Sequence, residues 1–145
     1  IYGINSRLDV LHAEILKFRL TKINDVIARR RKNANLYREL ITTDSVILPV
    51  ERTDEGYVDS YVMFIAKVDR RDELKDFLES FGIQAMIYYG TALHLHKAAQ
   101  QYGYKKGDFP VAERICDSVL ALPHHQHLEE DQIRFVAEKI NEFYG

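Results

Sequence analysis

The sequence predicts an α/β (α+β) chain in which one long N-terminal helix is followed by a small sheet with flanking helices. Three observations predict it. A helical pattern runs unbroken over residues 9–41, a strongly apolar strand over 61–68 leads through an amphipathic helix into an alternating strand at 83–88, and the chain closes on a further strand and a last amphipathic helix. At 145 residues the chain has the size of one domain and enough length to bury a core. We divide it into a helical interface segment, 1–41, and a small α/β domain, 42–145.

Residues 3–7 form a polar entry, and Ser6 with Asp9 three residues on approximates a capping box. At about 1.5 Å per residue the helical pattern is roughly 50 Å long, more than so small a domain spans, so it kinks or projects beyond its own core. Leu8, Leu11, Ile15 and Phe18 line one side, and Leu16, Leu20, Ile23 and Ile27 line another. A helix apolar on two faces needs two bodies to pack against. Downstream residues supply one, and a missing domain or a second subunit supplies the other. Arg30 interrupts the second stripe, which continues through Ala34, Tyr37 and Ile41, and the opposite face is not polar, so a simple coiled coil is the weaker reading.

Residues 46–50 read as a short strand that Pro49 confines to an edge. The 61–68 strand, nearly continuous in apolar residues, is expected to be central and covered on both faces. Asp69 is expected to cap the next helix, with Asp72 reaching back, while Leu74, Phe77, Leu78 and Phe81 form its buried stripe and Gly82 stops it. In the strand that follows, Ile83, Ala85 and Ile87 face one side and Gln84, Met86 and Tyr88 the other, completing a β-α-β unit that is right-handed if the strands are parallel. Gly90-Thr91 then breaks the pattern. Residues 95–102 make a short helix, 103–108 a loop, and Pro110 opens another helix that ends near Ser118. A strand at 119–123 precedes an acidic helix start at Glu129-Glu130-Asp131, and Ile133, Val136, Ala137, Ile140 and Phe143 bury the final helix.

Composition narrows the function. Hydrophobic residues make up 46% and charged residues 29%, with a net charge of -2 and one cysteine. This is an ordinary globular balance with no electrostatic footprint for nucleic acid, no disulfide framework and no apolar run long enough to span a bilayer, and it suits the cytoplasm. The only basic cluster, Arg29-Arg30-Arg31-Lys32, winds around a helix and reads as a solvated or partner-facing turn. His94 with His96, and His124, His125 and His127, bring imidazoles close. They lack the converging ligands and motifs of a zinc site, so no metal is expected. Cys116, mid-helix among apolar neighbours, reads as a buried inert thiol. The corner at 83–96 offers two phenols and two imidazoles where a strand ends. Surface tyrosines at a corner and a ligand site both account for it.

Three stretches together resemble a known family. Gly3-Ile4-Asn5-Ser6-Arg7-Leu8-Asp9, running into His12-Ala13-Glu14-Ile15-Leu16, resembles the first motif of the DegT/DnrJ/StrS-type nucleotide-sugar aminotransferases, which depend on pyridoxal 5'-phosphate. Gly82-Ile83 followed by Tyr88-Tyr89-Gly90-Thr91-Ala92-Leu93-His94 is similar to a second. Phe109-Pro110-Val111-Ala112-Glu113, leading to Val119-Leu120-Ala121-Leu122-Pro123, is similar to a third. Tyr88 stands where the family usually has histidine, Gly90 and Ala92 where it has prolines, and His12 where it has glutamine.

The resemblance implies the C-terminal part of a fold-type-I enzyme, with a long interdomain helix and a small domain built on a mixed or antiparallel sheet. It implies transfer of an amino group, usually from glutamate, to a nucleotide-linked keto sugar, in a homodimer joined through the N-terminal helix region. It places Asn5 at the cofactor phosphate across the dimer interface, Arg7 in the same cleft as a further cofactor contact, and Tyr88, Tyr89 and His94 near the sugar nucleotide. The Schiff-base lysine and most of the cofactor site would lie on a large domain outside this chain, so no catalytic residue is assigned here and the chain alone is expected to be inactive. A dehydratase of the same fold and a non-catalytic dimerisation or binding module are the rival readings.

Overall fold

The computed structural model describes residues 8–52 and 54–145. Asn5, Ser6 and Arg7 therefore lie outside the described residues. The helix expected over 9–41 is two helices, α1 (Val10–Leu20) and α2 (Ile23–Leu40). The break is local chemistry. The Thr21 hydroxyl donates to the Phe18 carbonyl at 2.7 Å, and the Thr21 and Lys22 N–H groups reach back three residues instead of four, which interrupts the helical ladder. Asp9, not Ser6, caps α1, its carboxylate accepting from the His12 N–H at 2.8 Å.

α1 buries no residue, so the expectation that the chain itself covers one face of the whole helix holds only for α2. There Asn33, Ala34 and Tyr37 are buried, and the helix packs on α5 (Glu130–Tyr144). Tyr37 is fully buried, stacks on Phe64 at 5.5 Å and donates its hydroxyl to the Pro123 carbonyl at 2.8 Å.

Three antiparallel strands follow in the order β1 (Val46–Ile47), β2 (Phe64–Val68), β3 (Val119–Leu122). β1 is an edge strand, but the strand expected over 46–50 is only two residues long and ends before Pro49, so that residue is not what confines it. β2 is central, but it begins at Phe64 because Tyr61 takes a left-handed φ of 44° that no strand accommodates. It is closely covered on one face only: Phe64, Ala66 and Val68 point into the core while Lys67 is exposed. The strand buried on both faces is β3. Leu120 and Leu122 join the main core, and Val119 and Ala121 are buried outside it.

α3 (Arg71–Ser80) starts without the expected Asp69 cap. Arg70 holds the capping position with φ 50° and makes no side-chain capping bond, its guanidinium pairing with Glu73 instead, while Asp72 pairs with Arg71 and the Asp69 carbonyl accepts from the Tyr144 hydroxyl. Leu74 and Leu78 are buried, whereas Phe81 is exposed. The next segment keeps the predicted alternation, with Ile83 and Ala85 buried, Ile87 packed at the core edge, and Gln84, Met86 and Tyr88 exposed. It pairs with the sheet only through a Met86–Ala121 bridge, whose two N–H···O bonds measure 3.0 and 2.8 Å. Antiparallel to β3, it runs parallel to β2 with β3 between them, so the β-α-β unit is split rather than adjacent. Two 3-10 turns, Leu93–Leu95 and Lys97–Tyr102, replace the expected short helix. α4 (Pro110–Ser118) then leads into β3, and Gln132 reaches back to the Glu129 N–H at 3.0 Å to open α5.

Candidate functional site

The corner after Tyr88 is shaped by backbone geometry. Tyr89 sits at φ 61°, a conformation non-glycine residues rarely adopt, and leaves its ring 69% exposed. A Cβ on Gly90 would come within 2.9 Å of the Ile87 side chain, so a larger residue there would have to displace that side chain. Ala92 is buried and anchors the turn. Between this corner and α4 lies a largely apolar groove of about 800 Å³, whose walls include Tyr89, Leu93, His96, Phe109, Ile115 and Cys116.

His94 stands in the same wall. Its Nε2 lies 2.9 Å from a Glu113 carboxylate oxygen, and its ring rests against Phe109 at 4.8 Å. The two side chains are only 8% and 11% exposed. Glu113 also accepts from the Gly107 N–H at 2.8 and 3.1 Å. That backbone donor, aided by His94, holds the carboxyl below the ordinary glutamate value despite its partial burial. His96 turns to the Thr91 carbonyl at 3.1 Å.

The structure thus brings Tyr89 and His94 to one groove. Tyr88, 41% exposed, is not in this groove but opens on a separate depression of about 150 Å³ beside Phe64, Met86 and His124. Cys116 is not the buried thiol expected: it is partly exposed and lines the groove. Glu113 was read from the sequence only as part of a motif. Nineteen residues separate it from His94, so no local spacing links them. Among the described residues no three metal-ligating side chains converge.

The second histidine group has a structural use. His124 presents Nδ1 to the Tyr61 carbonyl at 3.1 Å and Nε2 to the Arg30 carbonyl at 3.0 Å, with its ring stacked on Phe64 at 5.1 Å. Burial lowers its pKa below 6.5, outweighing the two carbonyls that favour the charged ring.

The family model described as the DegT/DnrJ/EryC1/StrS aminotransferase family matches residues 1–141. Among curated relatives, the chain is 37% identical over 147 residues to a "Pleiotropic regulatory protein" of Geobacillus stearothermophilus, covering 99% of this chain and 39% of that one. It is 31% identical over 141 residues to the dTDP-3-amino-3,6-dideoxy-alpha-D-galactopyranose transaminase of Aneurinibacillus thermoaerophilus, covering 97% of this chain and 38% of that one. Among solved structures, the crystal structure of S. venezuelae DesV in complex with a ketimine intermediate superposes with a TM-score of 0.87 at 32% identity, over 99% of this chain and 38% of that chain. The chain thus spans less than two fifths of the length of these relatives.

Proposed function

This chain belongs to the DegT/DnrJ/EryC1/StrS aminotransferase family, and from that premise we propose that it is the C-terminal part of an enzyme that transfers an amino group, from glutamate, to a nucleotide-linked keto sugar. The match over residues 1–141 is the observation that carries this reading. The family depends on pyridoxal 5'-phosphate. When bound, that group supplies the carbonyl carbon that takes the amino group and the electron sink beside it.

The described residues suit the rim of such a site rather than its floor. The large groove is walled by aromatic and aliphatic side chains and has no lysine or arginine in its lining to hold a phosphate. In this reading Asn5 and Arg7 hold the cofactor phosphate, since an amide and a guanidinium both donate to phosphate oxygens. Tyr89 and His94 orient the sugar nucleotide from the groove, and Tyr88 contacts it from the separate depression. The helical segment 1–41 acts at the interface of a homodimer, with α1 as its uncovered part, 42–145 acts as the small domain, and the parent enzyme is cytoplasmic. No described helix is long and apolar enough to cross a membrane.

The test compares the 145-residue chain with the full-length enzyme. With pyridoxal phosphate and borohydride, the chain alone gives no stoichiometric adduct, while the full-length enzyme gives one and aminates a dTDP- or UDP-linked keto sugar with glutamate. A single-lysine adduct on this chain, or no transfer by the longer protein to any such sugar, overturns the reading. In the full-length protein Asn5→Ala weakens cofactor retention more than it lowers the melting temperature. Unchanged retention removes Asn5 from the site.

A further inference from the structure

The ring of His94 is held from a different element. Glu113, in the first turn of α4, takes the Gly107 N–H on both carboxylate oxygens and meets His94 Nε2 with one of them. Gly107 reaches this position with φ 99°, a conformation open to glycine, so the loop ahead of α4 is built to aim its N–H at the carboxylate. An ionised carboxylate only accepts hydrogen bonds, so the hydrogen between the two side chains sits on Nε2. Phe109 packs on the ring and limits its rotation. Nδ1 has no hydrogen-bond partner among the described residues, and the ring forms part of the groove wall.

We infer that Glu113 is a positioning residue: it keeps a hydrogen on Nε2 of His94 and fixes the plane of the ring, so that Nδ1, which has no partner among the described residues, is left to make the hydrogen bond to the substrate. The inference rests on the reading of His94 as a substrate contact. A carboxylate that orients an imidazole through one nitrogen and leaves the other to act is a recurring device in catalytic sites. Here it acts on recognition, and it explains why an acid on α4 is nearly buried against a corner that is far away in sequence.

The experiment is a double-mutant cycle in the full-length enzyme together with a tautomer measurement. Glu113→Gln lowers kcat/KM for the sugar nucleotide by about 10- to 100-fold, mostly through KM. Glu113→Asp, which keeps the charge, recovers part of the loss. In a His94→Asn background Glu113→Gln adds less than about a twofold effect, because the acid acts only through the ring. Losses that multiply overturn the inference. In 15N-histidine-labelled protein, His94 shows the Nε2–H tautomer, and Glu113→Gln shifts it toward Nδ1–H. A spectrum unchanged by that substitution also overturns it. If His94→Asn alone leaves kcat/KM unaltered, the substrate-contact reading falls, and with it the substrate half of the inference; the spectrum then decides whether Glu113 controls the ring.

Discussion

Tyr37 shows how much one atom contributes to this fold. Its ring fills the space between α2 and β2, and its hydroxyl supplies the Pro123 carbonyl with a donor inside the core. Burial pushes the phenol well above its usual pKa, so it remains a donor across the physiological range. Tyr37→Phe keeps the packing and strands the carbonyl, which should cost about 1–2 kcal/mol in urea unfolding. No change would mean that water satisfies Pro123. Residues of this kind were partly legible. The alternation of Ile83, Ala85 and Ile87 against Gln84, Met86 and Tyr88 announces which side chains are buried, because a strand's period is two. Nothing local announces that Tyr37 finds a carbonyl 86 residues away, or that Glu113 finds His94.

At the scale of elements, His124 joins three of them: the carbonyls of Arg30 in α2 and Tyr61 ahead of β2 both face a ring that follows β3. The other groups around it are Phe64, Tyr61, Arg30 and His125, and the last two add charge that opposes protonation. The folded-state pKa is lowered, so on acidification the unfolded chain takes the proton first. The stability that His124 contributes is therefore complete above about pH 6.5 and is lost as the pH falls through the folded value. Urea midpoints from pH 8 to 5 should fall more for the native protein than for His124→Gln. The opposite trend would mean that the two carbonyls hold the ring charged. α1 lies at the other extreme. Its 11 residues bury nothing, and isolated helices shorter than about 12–15 residues are marginal. Its amide hydrogens should exchange far faster than those of α5 in the dilute chain, by mass spectrometry. Slow exchange would show that α1 has found a partner.

For the whole molecule, the contrast between a closed core and a bare helix decides how the chain behaves. Leu11 and Phe18 are 71% and 67% exposed, and Leu8, Val10, Ile15, Leu16, Leu20 and Ile23 are exposed as well, so α1 and the start of α2 carry apolar side chains that the described residues leave open. Phe18→Asp should leave the stability of the chain in urea unfolding within about 0.5 kcal/mol, because the Phe18 side chain is exposed. A large loss of stability would mean that Phe18 packs on its own chain. The sequence by itself determined the order of β1, β2, β3 and the helices between and after them, the apolar faces and the family motifs, since each of these is written in local periodicity or in short runs of residues. Only the tertiary structure decided that the Tyr37 hydroxyl reaches the Pro123 carbonyl, that β3 rather than β2 is buried on both faces, and that Glu113 grips His94. Those outcomes depend on which carbonyl a hydroxyl reaches and which surfaces meet across dozens of residues, and side-chain spacing along the chain carries no record of either.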